Sequence, residues 1–225
     1  NCNSTCLNNQ PLKQDVEILL GREVKLENDA NCFALSEALF GAGRNNSSLF
    51  GVIIGTGTGA GLVIDKKLVA GVNRIAGEWG HNALPVPPNT TASDSRSCYC
   101  GKNNCIETYL CGAGLEATFN QISRRSLLAK NIAQEAEKGD SECAKALDLY
   151  CYHLAASLAG VINILDPEVI VFGGGLSNIE EIYEKVPEKI MPWVFSDHLN
   201  TRFLKPEHGD SSGAIGAACL WSDAY

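Results

Sequence analysis

Three cysteines lie within eight residues of this chain, in the stretch "CYCGKNNC" that begins at Cys98. Two thiols one residue apart and a third five residues later can converge on one ion around a turn at Gly101, as tetrahedral zinc requires. A Cys98–Cys100 disulfide would instead close a very tight ring. With His81 as the natural fourth ligand, the pattern favours a closed, structural zinc site of His81, Cys98, Cys100 and Cys105. Incidental cysteines beside an ordinary histidine are the alternative.

Two glycine-rich stretches are candidates for nucleotide binding. "GVIIGTGTGAGLVI" lacks the helix of a dinucleotide fingerprint and the Gly-Lys-Ser/Thr of a Walker loop, so it predicts a hairpin whose N–H groups and hydroxyls can line a phosphate. "VIVFGGGLSN" follows a buried strand, where glycine lets a flat ring approach the backbone. Turns without function are the alternative for both. The candidate residues are Gly55, Thr56, Gly57, Thr58, Gly59, Gly173, Gly174, Gly175 and Asn178.

An acidic turn, "LENDAN", places Asp29 between a predicted strand and a predicted helix, with Asn28 and Asn31 beside it. Asp and Asn are favoured at helix N-caps, so capping is the alternative to a catalytic role for this carboxylate.

Composition predicts a folded protein, because 45% of the 225 residues are hydrophobic. A net charge of -8 argues against a nucleic-acid surface. No run of eighteen apolar residues and no signal-like N-terminal segment is found, which predicts a cytoplasmic protein without a membrane partner. The cysteines outside the cluster are interpreted as reduced core residues: Cys2, Cys6, Cys32, Cys111, Cys143, Cys151 and Cys219.

Hydrophobic periodicity predicts an α/β fold with a mixed sheet. Helices are expected at 12–21, 30–43, 105–119, 126–139, 141–165, 179–190 and 209–221, with Pro187 able to break the sixth. Strands are expected at 23–29, 49–55 and 167–172, and two more at 60–72 around a turn at Asp65.

Taken together with "GEWGH" and "HGDSSG", these motifs resemble the ROK family, sugar kinases of the actin/hexokinase-like (ribonuclease H-like) fold. The resemblance covers essentially the whole chain. Within the family the motifs look most like bacterial fructokinases, also called manno(fructo)kinases, with N-acetylglucosamine kinases as near neighbours. The resemblance implies ATP-dependent phosphorylation of a hexose, fructose or mannose first, at its 6-hydroxyl, with Mg²⁺, a structural Zn²⁺ and a homodimer.

The resemblance also implies roles for individual residues. Asp29 would be the general base. His81 would use one ring nitrogen on zinc and the other on the sugar. The hairpin at 55–59 would bind phosphate, and the turn at 173–178 adenosine. The sugar-binding residues would be Asn28, Glu78, His81 and Glu107.

Two departures from the family pattern qualify these implications. Asn104 stands where the family usually has Gly, and Asn tolerates the left-handed conformation. The family's first phosphate motif, Asp-x-Gly-Gly-Thr-Lys, is absent, which makes a sugar-responsive repressor or an inactive remnant the alternatives and predicts no useful kinase activity for this chain alone.

The absence of the first phosphate motif also suggests how the chain is divided into domains. Residues 1–42 would be the tail of a smaller domain with the hinge and catalytic turn, 43–207 the larger domain, and 208–225 a helix that returns to the smaller domain. That helix would expose an apolar face formed by Ala214, Ile215, Ala218 and Leu220.

Overall fold

The computed structural model describes residues 5–7, 9–85 and 95–221. Within them, five strands form one mixed sheet in the order β3-β2-β1-β4-β5. The strands are β1 (Ser48–Ile54), β2 (Thr58–Ile64), β3 (Lys67–Leu68), β4 (Val169–Gly173) and β5 (Arg202–Leu204). The helices are α1 (Leu12–Leu20), α2 (Asp29–Leu39), α3 (Glu107–Leu110), α4 (Gly112–Ser123), α5 (Ala129–Glu137), α6 (Ser141–Leu165), α7 (Glu180–Ile190) and α8 (Ser212–Cys219).

Strand pairing brings the glycine-rich stretches to one edge of the sheet. β1 pairs with β2 in antiparallel register from Ser48↔Ile64 to Ile54↔Thr58, and with β4 in parallel register up to Ile53↔Gly173. Because β1 and β4 run in the same direction, their carboxyl ends meet, and β2 begins there. The predicted mixed sheet and the predicted β1–β2–β3 meander are confirmed.

The two faces of the sheet carry separate cores. Alternate residues of β1 face opposite sides, as strand geometry requires. Leu49 packs with Phe33 and Ala34 of α2 on one face. Phe50 and Val52 join the larger core on the other face, which contains buried residues of α4, α6 and α7. The site therefore rests on a sheet that is covered on both sides.

Helix α2 lies unusually close to the sheet because glycines stand beneath it. A Cβ at Gly51 would lie 2.8 Å from the Ala34 Cα, and one at Gly61 would lie 2.7 Å from the Ala30 carbonyl oxygen. Helix α8 packs on α2 in the same way, since a Cβ at Gly216 would lie 1.7 Å from the Cys32 carbonyl oxygen. Glycine is required at these three positions by contact with backbone, not by a special φ angle.

The buried carboxylate of Glu37 joins α2 to the chain segments that precede β1 and follow β5. Glu37 is fully buried. Its carboxylate accepts hydrogen bonds from Ala42 N at 2.9 Å, Glu207 N at 3.1 Å and Ser212 Oγ at 2.7 Å. Ala42 precedes β1, whereas the other two donors follow β5. Glu37 therefore fixes the end of α2 against the entry to and the exit from the sheet.

Two sequence predictions for elements are wrong, and a third element, the helix predicted at 179–190, forms without a break at Pro187. Residues 23–28 form no strand, because among the described residues no neighbouring strand is available to pair with them. The predicted helix 105–119 is interrupted at Cys111, whose Sγ accepts from Gly114 N at 3.3 Å and caps α4. Helix α7 runs through Pro187 to Ile190, and burial of Ile182, Val186 and Ile190 along one side supports it.

The predicted apolar face of the last helix is exposed only in part. Helix α8 begins at Ser212 instead of residue 209. Ala214 and Ala218 are exposed, Ile215 is half-buried, and Leu220 is 8% exposed. Leu220 belongs to a cluster with Leu35 of α2, so this chain itself covers much of the face.

Burial of the remaining cysteines largely follows the prediction. Cys32, Cys111, Cys143, Cys151 and Cys219 are buried free thiols. Cys6 is exposed, which contradicts the core interpretation for that residue, and Cys2 lies outside the described residues.

Helix α6 is long and apolar enough to span a membrane by composition alone. However, 61% of its apolar stretch is buried inside the protein, which is the setting of a core helix.

Candidate functional site

The four predicted metal ligands converge. Their ligand atoms all lie within 4.8 Å of one another. Cys98 Sγ is 3.6 Å from His81 Nδ1, and Cys100 Sγ is 3.6 Å from Cys105 Sγ. Ligands about 2.3 Å from a tetrahedral zinc would be roughly 3.8 Å apart. The donor set and its spacing therefore fit zinc.

Backbone geometry explains how such a short segment brings the thiols together. Gly101 and Asn104 have φ of 88° and 57°, and Gly101 N donates to Cys98 O at 3.0 Å, so the chain turns tightly between Cys98 and Cys105. The left-handed Asn104 agrees with the expectation that Asn can replace Gly here. An isolated bridge pairs Ala83 with Cys105 and holds the segment beside the turn that carries His81.

The thiols differ in acidity. The Lys102 backbone N–H lowers the pKa of Cys100, whereas burial raises the pKa of Cys105 to about 12. A coordinating cation removes the proton from a thiol outright. The Cys105 thiol therefore keeps its proton without an ion and loses it when an ion binds.

The second nitrogen of His81 has a partner that the sequence did not suggest. Nε2 lies 2.9 Å from the Tyr99 hydroxyl, and the two rings make an edge contact. Burial raises the pKa of Tyr99 to about 12, so its hydroxyl is neutral. In this structure Tyr99 occupies the hydrogen-bonding position at Nε2, and the expected contact of His81 with the sugar stays a prediction.

In the acidic turn, the helix cap is not the residue predicted to be the general base. Asn28, not Asp29, is the N-cap of α2, and its Oδ1 accepts from Ala30 N at 2.8 Å and Asn31 N at 3.4 Å. Asp29 is the first helical residue and is exposed. Its Oδ1 accepts from Ala30 N at 2.9 Å. The alternative that Asp29 is the cap is therefore wrong.

An ion pair joins this turn to the loop before the "GEWGH" motif. Glu27 accepts from Arg74 Nη2 at 2.7 Å, from Asn28 N at 2.9 Å and from Asn31 Nδ2 at 3.0 Å. The Glu27 side chain is 13% exposed, whereas Arg74 is largely exposed. The pair spans 47 positions of sequence, and neither member was predicted to belong to the site.

The hairpin between β1 and β2 contacts the predicted sugar-binding Glu107. Glu107 Oε2 accepts from Thr58 N at 3.0 Å. Thr58 is buried, and its Oγ1 has no partner among the described residues. Thr56 is exposed, and the N–H groups of Thr56 and Gly57 donate to no protein acceptor in the described parts of the chain. Of the five predicted residues, these two have backbone N–H groups without a protein acceptor among the described residues.

The other predicted site segments lie against the hairpin. A Cβ at Gly80 would be 2.1 Å from the Thr58 carbonyl oxygen, which places the Glu78–His81 turn on β2. A Cβ at Gly174 would be 2.6 Å from the Ile54 carbonyl oxygen, which places the second glycine turn on the end of β1. Asn178 is exposed, with its amide donating to Gly175 O at 3.2 Å.

A cavity of about 340 Å³ opens between the hairpin and the cysteine cluster. Four predicted residues line it: Thr56, Gly57, Cys98 and Glu107. Arg96, Tyr99 and Cys111 also line it and were not predicted. Arg96 donates to Thr108 O and Gly114 O, each at 2.9 Å, and so anchors the segment that leads into the cluster.

Comparison with known proteins decides the family. A family model described as "ROK family" matches residues 1–224. The chain belongs to the ROK family. The N-acetyl-D-glucosamine kinase of Vibrio atlanticus (strain LGP32) is 42% identical over 214 residues, which are 94% of this chain and 71% of that protein. The family match together with this relative supports a sugar kinase within the family.

Solved ROK structures show the same fold. The ROK family glucokinase of Streptomyces griseus, in complex with glucose and AMPPNP, is 28% identical with a TM-score of 0.81 over 93% of this chain and 72% of that chain. The ROK hexokinase of Thermus thermophilus is 27% identical with a TM-score of 0.80 over 92% and 68%. The actin/hexokinase-like fold expected from the motifs is confirmed.

The fructokinase resemblance within the ROK family is not supported. Relatives between 38% and 42% identical are N-acetyl-D-glucosamine kinases, which the motifs had placed second.

Proposed function

We propose that the protein transfers the γ-phosphoryl group of ATP to the 6-hydroxyl of N-acetyl-D-glucosamine. The observation that carries the choice of sugar is the 42% identity to an N-acetyl-D-glucosamine kinase along 94% of the chain. Fructose and mannose, favoured by the motifs alone, become the comparison substrates.

Asp29 is the proposed general base. It is exposed at the start of α2, and only its Oδ1 has a protein donor in the described structure. Because Asn28 performs the capping, the second carboxylate oxygen is available to accept the proton of the attacking hydroxyl. The base needs no unusual acidity, since attack on phosphorus drives the loss of that proton.

The sugar is proposed to lie between Asp29 and the cavity beside the cysteine cluster. Glu78 and His81 lie on a turn packed against the hairpin, and Glu107, at the start of α3, contacts the hairpin as well. Asn28 precedes Asp29 at the start of α2. Glu107 lines the cavity and also holds Thr58 N, so one carboxylate joins the proposed sugar site to the phosphate hairpin. Carboxylates are suitable acceptors for sugar hydroxyls.

The phosphates of ATP are proposed to meet the hairpin. The free N–H groups of Thr56 and Gly57 form part of a concave backbone surface that suits an anion. Gly174, with φ of 82°, turns the chain beside the hairpin, and Gly175, where a Cβ would meet nothing within 4 Å, leaves room for the nucleoside. Mg²⁺ supplies neutralisation of charge on the transferring group.

Zinc is proposed to be structural, held by His81, Cys98, Cys100 and Cys105. Four protein ligands close a tetrahedral shell, so the ion orients the sugar-binding turn instead of activating water. The homodimer and the domain division after residues 42 and 207 stay predictions.

Because this chain lacks the first phosphate motif and is expected to show no useful activity alone, the proposal is tested by a coupled ADP-release assay of the complete protein with N-acetyl-D-glucosamine, fructose, mannose and glucose. We expect kcat/KM to be highest for N-acetyl-D-glucosamine, by roughly tenfold or more, because a site that hydrogen-bonds a substituent rejects analogues that lack it. Higher kcat/KM for fructose would return the assignment to the fructokinases. The Asp29→Asn variant is the control for contaminating kinases.

A further inference from the structure

Asn104 lies where separate chain segments around the metal cluster meet. Its backbone N–H donates to Arg96 O at 2.8 Å, and its carbonyl oxygen accepts from Leu84 N at 2.8 Å. The first bond closes the metal loop, residues 96–104, which carries two of the three thiols. The second joins that loop to the segment that follows His81. Asn104 therefore helps to set the position of the loop relative to the histidine ligand.

The Asn104 side chain makes two further contacts. Its Oδ1 accepts from Arg96 N at 2.8 Å and from the Tyr109 hydroxyl at 2.9 Å. A backbone N–H can only donate, so the amide oxygen of Asn104, and not the amide nitrogen, faces Arg96. Tyr109 belongs to α3, which begins at Glu107, shortly after the last thiol. One oxygen atom therefore joins the start of the metal loop to the helix that follows it.

Tyr109 is itself held against the core. The Arg96 guanidinium lies 4.1 Å from the centre of the Tyr109 ring. The ring of His153, on the long helix α6, makes a T-shaped contact with Tyr109 at 5.5 Å between centroids. His153 is 7% exposed. Through Tyr109, the Asn104 side chain therefore connects the metal loop to a core helix.

A glycine at position 104 would supply only the backbone conformation. The φ of Asn104 is 57°, in the left-handed region that glycine adopts easily and that Asn tolerates. Glycine has no side-chain oxygen, so Arg96 N and the Tyr109 hydroxyl would lose this acceptor. The departure from the usual family glycine therefore adds a contact that the backbone alone does not give.

We propose that Asn104 is a positioning residue of the zinc site, whose side chain holds the metal loop against α3 so that the ligands are ordered before the ion binds. The inference rests on the proposed function, because it takes the ion bound by His81 and the three thiols to be zinc. Ligands that must first be ordered bind an ion more weakly, since the cost of ordering them is subtracted from the binding free energy.

The test is the zinc affinity of Asn104→Gly, which permits the same φ but removes the side chain. Competition with a chromogenic chelator, on reduced protein stripped of metal, should show a zinc Kd about tenfold weaker, since two hydrogen bonds are lost. Asn104→Asp keeps an acceptor oxygen and should recover most of the affinity. Arg124→Gly removes an exposed side chain at a φ of 61° at the end of α4 and, as the matched control, should leave the Kd unchanged.

Three results would overturn the proposal. With an unchanged or tighter Kd in Asn104→Gly, the side chain would not order the ligands, even if urea unfolding showed a less stable protein. With Asn104→Asp as weak as Asn104→Gly, the acceptor oxygen would not be the cause. With an equal loss in Arg124→Gly, the effect would be one of added chain freedom. A parent protein that binds no zinc would instead contradict the proposed zinc site, and the inference with it.

Discussion

The turn that carries Asp29 and the cluster around His81 reach the same edge of the sheet but are held there in different ways. Asp29 begins a helix that rests on glycines of β1 and β2 and is anchored at its other end by the buried Glu37. His81 is held by a short 3-10 turn, one isolated bridge and thiols that need an ion. The hydrophobic core therefore positions the Asp29 turn, which is the core-built half of the candidate site. Convergence of metal ligands positions the cluster around His81, which is the ligand-built half.

The largest expected effect tests the chemical role of the core-built half. Asp29→Asn keeps the shape of the turn but removes the proton acceptor, so kcat should fall by roughly 10²- to 10⁴-fold with little change in sugar KM. Steady-state kinetics measures both constants. A loss confined to KM would make Asp29 a binding residue.

The next effect tests how the helix is anchored. Glu37→Ala removes a fully buried carboxylate and leaves the part-buried backbone N–H groups of Ala42 and Glu207 without this acceptor, so the free energy of unfolding should fall by about 2–4 kcal/mol. Urea unfolding measures the change. Glu37→Gln retains one acceptor oxygen and should lose less. Zinc content should remain the same in both, and a loss of zinc would show that the two halves are coupled.

The third prediction concerns the ligand-built half. Cys100→Ser should lower bound zinc from one per chain towards zero and raise the sugar KM by roughly tenfold or more, because His81 and its neighbours lose their orientation. Metal analysis and kinetics measure the two effects. Cys143→Ser, at a buried cysteine remote from the cluster, is the control for removing a thiol. Full zinc in Cys100→Ser would rule out the proposed ligand set.

The smallest effect concerns the contact between the halves. Arg74→Gln removes the partner of Glu27, which also holds Asn28 N, so kcat/KM should fall about two- to fivefold. Arg74→Lys should recover part of the loss. Arg44→Gln, which removes the exposed pair with Glu207 away from the catalytic turn, is the matched control. Equal losses in both glutamine variants would reduce the Arg74 effect to a general surface-charge effect.

Local patterns predicted the ligand-built half well. The spacing of Cys98, Cys100 and Cys105 limits how the segment can fold, and the structure brings their thiols together with His81. Tyr99 was missed although it is part of the same motif, because the spacing of cysteines says nothing about the side chain between them.

Contacts between distant parts of the chain were not predictable in this way. Glu27 and Arg74 are ordinary charged residues until the fold brings them together. Glu37 lies on a helix whose charged residues would be expected to face solvent, yet three of its donors come from segments far along the chain or across a turn. The predicted strand at 23–29 failed because a strand depends on a neighbour that local pattern cannot supply.

The close packing of α2 on bare backbone has a consequence for which substitutions the protein can accept. Gly51, Gly61 and Gly216 do not contact any proposed substrate, yet a single added methyl group at any of them would collide with α2. Moving the helix outward would move Asp29 with it. In a survey of all substitutions selected for activity, these buried glycines should therefore be as intolerant as the reacting carboxylate, whereas the exposed helix α1 should accept most changes.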